Sequence, residues 1–205
     1  MLASGYGSNL QAVIDDVRHG RLPLDLRLVI ANRRGALALE RAKQAGIRTL
    51  YAPFDAAVQS RAGYAQYLAR CLHAAGAQLV LLLGWMHVLA PQFLQAGFAG
   101  VLNLHPAYLP QDPSADSVEL PDGSSIPAFR GAHALRDALA AGVQTAGASL
   151  IKITSEVDRG PVLARRTLAL QPGEDERSAL SRLHAVERVV VREGILTWLA
   201  QRGLP

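Results

Sequence analysis

Three shortages mark this sequence, and each of them excludes a class of protein. The one cysteine, Cys71, excludes a disulfide framework and a cysteine-based metal site, and the histidines lack zinc-site spacing, so no metal is expected. Only two of the 21 basic residues are lysines, and the scattered arginines form no cluster of the kind that binds nucleic acid. No apolar stretch reaches the roughly 18–20 residues of a membrane span. We therefore expect a cytoplasmic protein with no membrane or nucleic-acid partner.

What remains is the composition of an ordinary globular protein. The 205 residues are 50% hydrophobic and 19% charged, which is enough for a substantial core, and we expect a single domain over residues 1–205. The formal net charge of +4 suits a protein that handles anionic small molecules.

Short apolar runs alternate with amphipathic stretches along the chain. This alternation predicts an α/β fold with a doubly wound, mostly parallel sheet flanked by helices, and with a long C-terminal helix. The expected strands cover residues 1–3, 26–31, 47–52, 78–83, 101–104, 148–154 and 161–169, and the expected helices cover 8–19, 36–45, 60–75, 131–141 and 174–201.

The segment 111–127 interrupts this alternation. It is polar and rich in proline and serine, and Pro121-Asp122-Gly123 is a strong turn signal. We interpret it as a surface hairpin or flap.

Asn103-Leu104-His105-Pro106 places an amide and an imidazole two residues apart where an apolar strand stops. The strand is expected to end there, because Pro106 cannot donate a hydrogen bond to a sheet. Residues two apart on a strand point to the same face, so Asn103 and His105 should face one point beyond a carboxyl strand end. Ligands bind at that edge of open α/β sheets. A polar strand end without chemical function is the alternative interpretation.

The loop Ser4-Gly5-Tyr6-Gly7-Ser8-Asn9-Leu10 joins the first strand to the first helix. Its glycines allow a tight turn, and the amides at the helix start can bind an anion such as a phosphate monoester. It is not a dinucleotide motif, because Leu10 occupies the third glycine position. A tight turn with Ser8 as the N-cap is the alternative. Arg61 could add a charge to the same anion or be a surface residue.

Later segments hold further candidates, each with an ordinary structural alternative. Gly84–Leu89 follows a strand and could line a slot for a flat heterocycle, or simply pack in the core. Asp158 could form a turn, or could orient and charge the imidazole of His105 if it reaches that ring. Glu187 and His184 share a helix face, which is solvated unless that face closes over the site.

Three segments together resemble one known family: Ser4–Ala12, Asn103–Pro110 and Val157–Val162. They are similar to the glycinamide ribonucleotide transformylases, which are folate-dependent formyltransferases, and the resemblance runs in order over nearly the whole chain. The Asn-x-His-Pro motif and the downstream Asp occur in other formyltransferases too, whereas the Gly-Ser-Asn loop is more particular to this family. The resemblance implies a Rossmann-like formyltransferase fold, with a phosphate-binding half over about 1–100 and a catalytic, folate-binding half over about 101–205.

The resemblance also implies an activity and a set of site residues. The activity is formyl transfer from the co-substrate 10-formyltetrahydrofolate to the amine of glycinamide ribonucleotide, in purine biosynthesis, by a monomer or homodimer. The residues implied to be catalytic are Asn103, His105 and Asp158. Those implied to bind the ribonucleotide are Gly7, Ser8, Asn9, Arg61, Pro106, His184 and Glu187. Those implied to bind folate are Met86, His87, Val88, Leu89, Asn103, His133, Glu156 and Asp158.

Three departures from the family pattern leave the substrates open. His87 stands where the family often has arginine, 111–127 looks like an insertion, and Ile151-Lys152 replaces a His-Phe pair. A formyltransferase for another amine, a 10-formyltetrahydrofolate hydrolase and a non-catalytic ligand-binding module are the alternatives.

Overall fold

A computed structural model of the chain describes residues 1–204. The strands are β1 (Leu2–Ala3), β2 (Val29–Ala31), β3 (Thr49–Tyr51), β4 (Leu79–Leu82), β5 (Gly100–His105), β6 (Ser117–Glu119), β7 (Ser125–Pro127), β8 (Thr145–Lys152) and β9 (Val162–Ala169). The helices are α1 (Ser8–Arg18), α2 (Leu37–Gln44), α3 (Arg61–Ala74), α4 (Pro91–Leu94), α5 (Ala134–Ala140) and α6 (Glu176–Ala200).

Seven of the strands form one sheet in the order β3-β2-β1-β4-β5-β8-β9. The pairs from β3 through to β5 are parallel, and β8 pairs with β9 in the antiparallel sense. Parallel neighbours require crossover connections, and α1, α2 and α3 provide three of them. The predicted fold class, a mostly parallel α/β sheet with a long C-terminal helix, is confirmed.

The chain divides into two compact units, Met1–Asn103 and a second that begins at Leu104. In the first unit, β1, β2 and the inner part of β4 are buried, as expected of parallel strands covered on both faces. Helix α1 buries Leu10, Val13 and Ile14, which recur at the helical spacing seen in the sequence.

The second unit is organised around α6, which packs against β8 and β9. Gly194 lies at this contact, and a Cβ atom there would meet the Cδ2 atom of Leu150 at 2.5 Å. Leu150 is itself fully buried in β8. The helix therefore approaches the sheet closely at the one position where it has no side chain.

The segment 111–127 contains the predicted hairpin, formed by β6 and β7. It is packed rather than free, since Val118, Leu120 and Ile126 are buried in a cluster with Tyr108 and Phe129. The prediction of a hairpin is confirmed, and alternate residues of its short strands carry an apolar face.

Several element boundaries differ from the prediction. Strand β8 begins at Thr145 rather than 148, because Thr145 pairs with Ala169 of β9. The short helix α4 was not predicted, since four residues are too few to show a helical period. Helix α1 is capped by Gly7 instead of Ser8. Within residues 1–204, none of the helices has the length and apolarity needed to cross a membrane.

Candidate active site

His105 and Asp158 form a buried pair in the second unit. His105 is the last residue of β5, and Asp158 lies in the loop between β8 and β9. The Nδ1 atom of His105 is 3.5 Å from the Oδ2 atom of Asp158, and the two side chains are 4% and 10% exposed. Asp158 does lie in a turn, and its carboxylate also contacts the imidazole. A carboxylate in this position orients the ring.

Three consecutive residues that the sequence did not single out as functional hold this pair. The Nε2–H group of His105 donates to the carbonyl oxygen of Phe129 at 2.8 Å. The backbone N–H of Gly131 donates to the Oδ2 atom of Asp158 at 2.8 Å, and the Nε–H group of Arg130 donates to the Asp158 carbonyl at 3.2 Å. These contacts join residues 24 to 28 positions apart, so no local spacing in the sequence could have indicated them.

The backbone at Asp158 is in the left-handed region, with φ of 53°. Among the described residues it is the only non-glycine with a positive φ. Asp and Asn tolerate this region better than other non-glycine residues, but such conformations persist only where neighbouring contacts hold them.

Asn103 lies on β5 two residues before His105, as predicted, and is partly buried. Pro106 follows the end of the strand and is also partly buried. Asn103 pairs in register with Leu82 of β4, the last residue of that strand. The amide of Asn103 is therefore placed at the carboxyl end of the parallel strands in the first unit.

The glycine loop leads into the N-terminus of α1, where Gly7, Ser8 and Asn9 are partly exposed. Gly7 has φ of 75°, and a Cβ atom there would lie 2.8 Å from the Cα atom of Ala38. The first turn of α1 contains no acidic residue. The start of a helix, with its N–H groups and the positive end of its dipole, suits an anion.

A different part of the first unit brings together residues that the sequence assigned to two different ligands. Arg61, predicted to bind the ribonucleotide, lines the same small cleft as His87, Val88 and Leu89, predicted to bind folate. The cleft also contains Phe54 and Tyr64, which the sequence reading missed because neither belongs to a motif. The guanidinium of Arg61 lies 5.3 Å from the centre of the Phe54 ring.

His87 lies among aromatic and cationic groups. Its ring centre is 5.8 Å from that of Phe54 and 5.9 Å from that of Trp85. Burial, and then the positive charges of Arg61 and Arg33, lower the pKa of His87 from its ordinary value of 6.5. Within Gly84–Leu89, Trp85 packs in the core, whereas Met86 and Val88 are 53% and 66% exposed. That this segment lines a slot for a flat heterocycle stays a prediction.

The remaining predicted residues fall into two groups. Glu187 is buried on α6, and its Oε2 atom is 4.0 Å from the Nε2 atom of His184, so this helix face is not the solvated one. His133, the N-cap of α5, and Glu156 are exposed. Within residues 1–204, no three histidine, cysteine or acidic side chains are grouped so that they could hold a metal ion.

A mostly parallel α/β sheet with a buried His–Asp pair beyond the end of a strand is typical of an enzyme that acts on a small molecule. A sequence profile described as Formyl transferase matches residues 1–119 and 122–195. The chain therefore belongs to the formyl transferase family.

Curated relatives narrow the comparison. The chain is 32% identical over 204 residues to phosphoribosylglycinamide formyltransferase of Escherichia coli, which covers 100% of this chain and 87% of the relative. It is 34% identical over 189 residues to the trifunctional purine biosynthetic protein adenosine-3 of Drosophila melanogaster. That match covers 91% of this chain and 13% of the much longer relative.

A solved structure shows the same fold. Glycinamide ribonucleotide transformylase 1 from Symbiobacterium toebii superposes with a TM-score of 0.83 at 35% identity, covering 98% of this chain and 86% of that one. The family expected from the three sequence segments is confirmed.

Proposed function

We propose that this enzyme transfers the formyl group of 10-formyltetrahydrofolate to the amine of glycinamide ribonucleotide in purine biosynthesis. The observation that carries the proposal is the buried His105–Asp158 pair, in a chain that aligns over its full length with a phosphoribosylglycinamide formyltransferase. Three residues are proposed to be catalytic: Asn103, His105 and Asp158.

The proposed chemistry is direct attack of the amine on the formyl carbon. As the new C–N bond forms, negative charge develops on the formyl oxygen. The amide of Asn103 and an N–H group of His105 are suited to donate to that oxygen. One such donor lowers the activation free energy by about 2.7–4 kcal/mol. Asp158 orients the imidazole and assists the removal of the amine proton. The bond between the formyl carbon and the folate nitrogen then breaks, and the proton is delivered to that nitrogen. Holding both substrates together supplies much of the remaining acceleration.

The ribonucleotide phosphate is proposed to bind at the start of α1, through Gly7, Ser8 and Asn9. The partial exposure of these three residues and the helix dipole there support this assignment. Glu187, assisted by His184, is proposed to accept hydrogen bonds from the ribose hydroxyls. Its buried carboxylate beside His184, with 4.0 Å between the Oε2 and Nε2 atoms, supports this role.

The folate is proposed to contact Met86, Val88 and Leu89, together with the loop that contains Glu156 and Asp158. The large exposed fractions of Met86 and Val88 support this, because exposed apolar side chains after a strand can cover a flat ring. Arg61 lines the same cleft as His87. We therefore propose that both side chains face the folate. We propose that His133, which is exposed, also contacts the folate.

The test is the release of tetrahydrofolate by the purified protein, followed by absorbance with and without glycinamide ribonucleotide. We expect release that depends on the ribonucleotide and matches the appearance of formylated product. Release together with free formate and without any amine would identify a hydrolase instead. Ligand binding without turnover would identify a binding module.

The assembly and location of the enzyme are further proposals. We expect a monomer or homodimer, which light scattering distinguishes by a mass of 21.9 kDa or twice that value. We also expect a cytoplasmic location, supported by the single cysteine and tested by fractionation of expressing cells.

A further inference from the structure

We propose that Asp116, Arg130 and Arg159 form a clasp that positions the His105–Asp158 pair, with the hairpin β6–β7 as its support. The inference rests on the proposed function, in which this pair carries the chemistry. The clasp residues are positioning residues, since they act through Asp158 and His105 and not on the substrate. The segment 111–127, whose role the sequence left open, thereby acquires a function.

Residues 129–131 form hydrogen bonds with both members of the pair. The carbonyl of Phe129 holds the Nε2 side of the His105 ring, and the N–H of Gly131 holds the Asp158 carboxylate. Arg130, between them, binds the carbonyl of Asp158. Any shift of this tripeptide therefore moves the imidazole and the carboxylate together.

The tripeptide 129–131 is itself hydrogen-bonded to the segment that precedes the hairpin. Besides Asp158, the Arg130 guanidinium donates to the carbonyl of Ala115 at 2.7 Å and to the carbonyl of Pro113 and the Oδ1 atom of Asp116, both at 3.4 Å. A planar guanidinium with several fixed donors suits such a multiple contact, and lysine does not.

The residue that follows Asp158 is hydrogen-bonded to the same segment. Arg159, next to Asp158, donates to the carbonyls of Pro113 and Ser114 at 3.0 and 3.1 Å. Its second terminal nitrogen lies 2.5 Å from the Oδ1 atom of Asp116. Asp116 thus lies between two arginines of like charge and bridges them.

The hairpin packs against Phe129 and keeps that residue and the preceding segment in place. Val118, Leu120 and Ile126 are buried against Phe129 and Tyr108, so the hairpin has a small core of its own. A residue with positive φ such as Asp158 needs its surroundings to hold it, and the clasp supplies contacts on both sides of it.

The test compares Arg130→Gln with a matched control, Arg136→Gln, whose arginine is exposed on α5 and lies 4.0 Å from Asp137 alone. Two quantities are measured on the full chain: steady-state kinetics with both substrates, and amide hydrogen exchange at Gly131. For Arg130→Gln we expect turnover to fall by about 10- to 100-fold, because small displacements of reacting groups are costly. The KM for the ribonucleotide should stay within about twofold, and exchange at Gly131 should accelerate while that of α6 does not.

A second pair of variants tests the bridge. Asp116→Asn should lower turnover in the same direction and by less, since carbonyl contacts to both arginines remain. Its control is Asp25→Asn, which removes a similarly exposed aspartate that pairs with Arg27. Arg130→Lys should not restore turnover, because it keeps the charge but loses the fork of donors.

The following results would contradict the proposal that the clasp positions the pair. Turnover of Arg130→Gln within twofold of wild type, or unchanged exchange at Gly131, would show that no positioning occurs. Faster exchange throughout β8 and α6 would show general destabilisation instead. If wild-type protein does not formylate the ribonucleotide, the proposed function fails, and exchange at Gly131, which needs no substrate, still decides whether the clasp exists.

Discussion

At the scale of single residues, two acceptors determine which proton His105 can share. Its Nε2–H group is bound by the Phe129 carbonyl at 2.8 Å, an ordinary hydrogen-bond length. Its Nδ1 atom lies 3.5 Å from the Asp158 carboxylate, which is close enough for electrostatic attraction but longer than a hydrogen bond. In the proposed mechanism, the Nδ1 side of the ring is therefore the side that faces the oxyanion, since the Nε2 side is already engaged.

This geometry predicts the effect of Asp158→Asn. Asparagine tolerates the left-handed backbone and its oxygen can still accept from Gly131, so the change removes charge with little strain. We expect turnover to fall by about 10²- to 10⁴-fold while the dissociation constant of the ribonucleotide stays nearly constant. Single-turnover kinetics and calorimetry measure the two quantities. Asp137→Asn on α5 is the control, and near-normal turnover in Asp158→Asn would contradict the assignment.

His87 gives the protein a pH-dependent stability. Burial and two arginines lower its pKa below 6.5 in the folded state, so below pH 6.5 the unfolded chain binds more protons than the folded one. The contribution of His87 is complete above pH 6.5 and is lost as the pH falls through the lowered pKa. Urea unfolding at pH 7.5 and 5.5 should show that His87→Gln loses less stability on acidification than wild type. An equal loss in both proteins would refute this.

At the scale of elements, the start of α1 depends on the contact between Gly7 and α2. Gly7→Ala combines a strained positive φ with a Cβ atom 2.8 Å from the Ala38 Cα atom. We expect a loss of about 2–4 kcal/mol in the free energy of unfolding and a higher KM for the ribonucleotide.

The control for that change is Gly20→Ala, at the other end of α1. Gly20 has φ of 68°, but nothing lies within 4 Å of a Cβ atom there. Strain alone should cost about 1 kcal/mol, with an unchanged KM. Equal effects of the two alanines on both quantities would show that the contact with Ala38 does not matter.

Elements with a strong period were predictable from the sequence, and contacts between distant segments were not. Helix α1 was predicted to within a residue at each end, because Leu10, Val13 and Ile14 repeat at helical spacing. Helix α4 has four residues and leaves no such pattern. The roles of Phe129 and Arg130 depend on the fold bringing 129–131 beside Asp158, which no local motif records.

At the scale of the whole molecule, a substrate that binds only the folded state raises its stability by mass action. At 100 times its dissociation constant, the ribonucleotide should add about 2.7 kcal/mol, which corresponds to a rise in Tm of about 5–11 °C for a chain of this size. Thermal unfolding with the ribonucleotide, and with the same concentration of inorganic phosphate as control, measures the shift. We expect a smaller shift with phosphate. No shift with either ligand would contradict phosphate binding at α1.

The missing side chain at Gly194 has a consequence for the position of α6 along the sheet. Sliding the helix by four residues, or about 6 Å, would bring Val190 or Trp198 over Leu150, where even a methyl group does not fit. The notch at Gly194 therefore admits a single axial register of the helix. Glu187 lies two turns before Gly194 on the same helix. Gly194, which has no reactive group, therefore fixes the position of the buried Glu187 carboxylate along the helix axis.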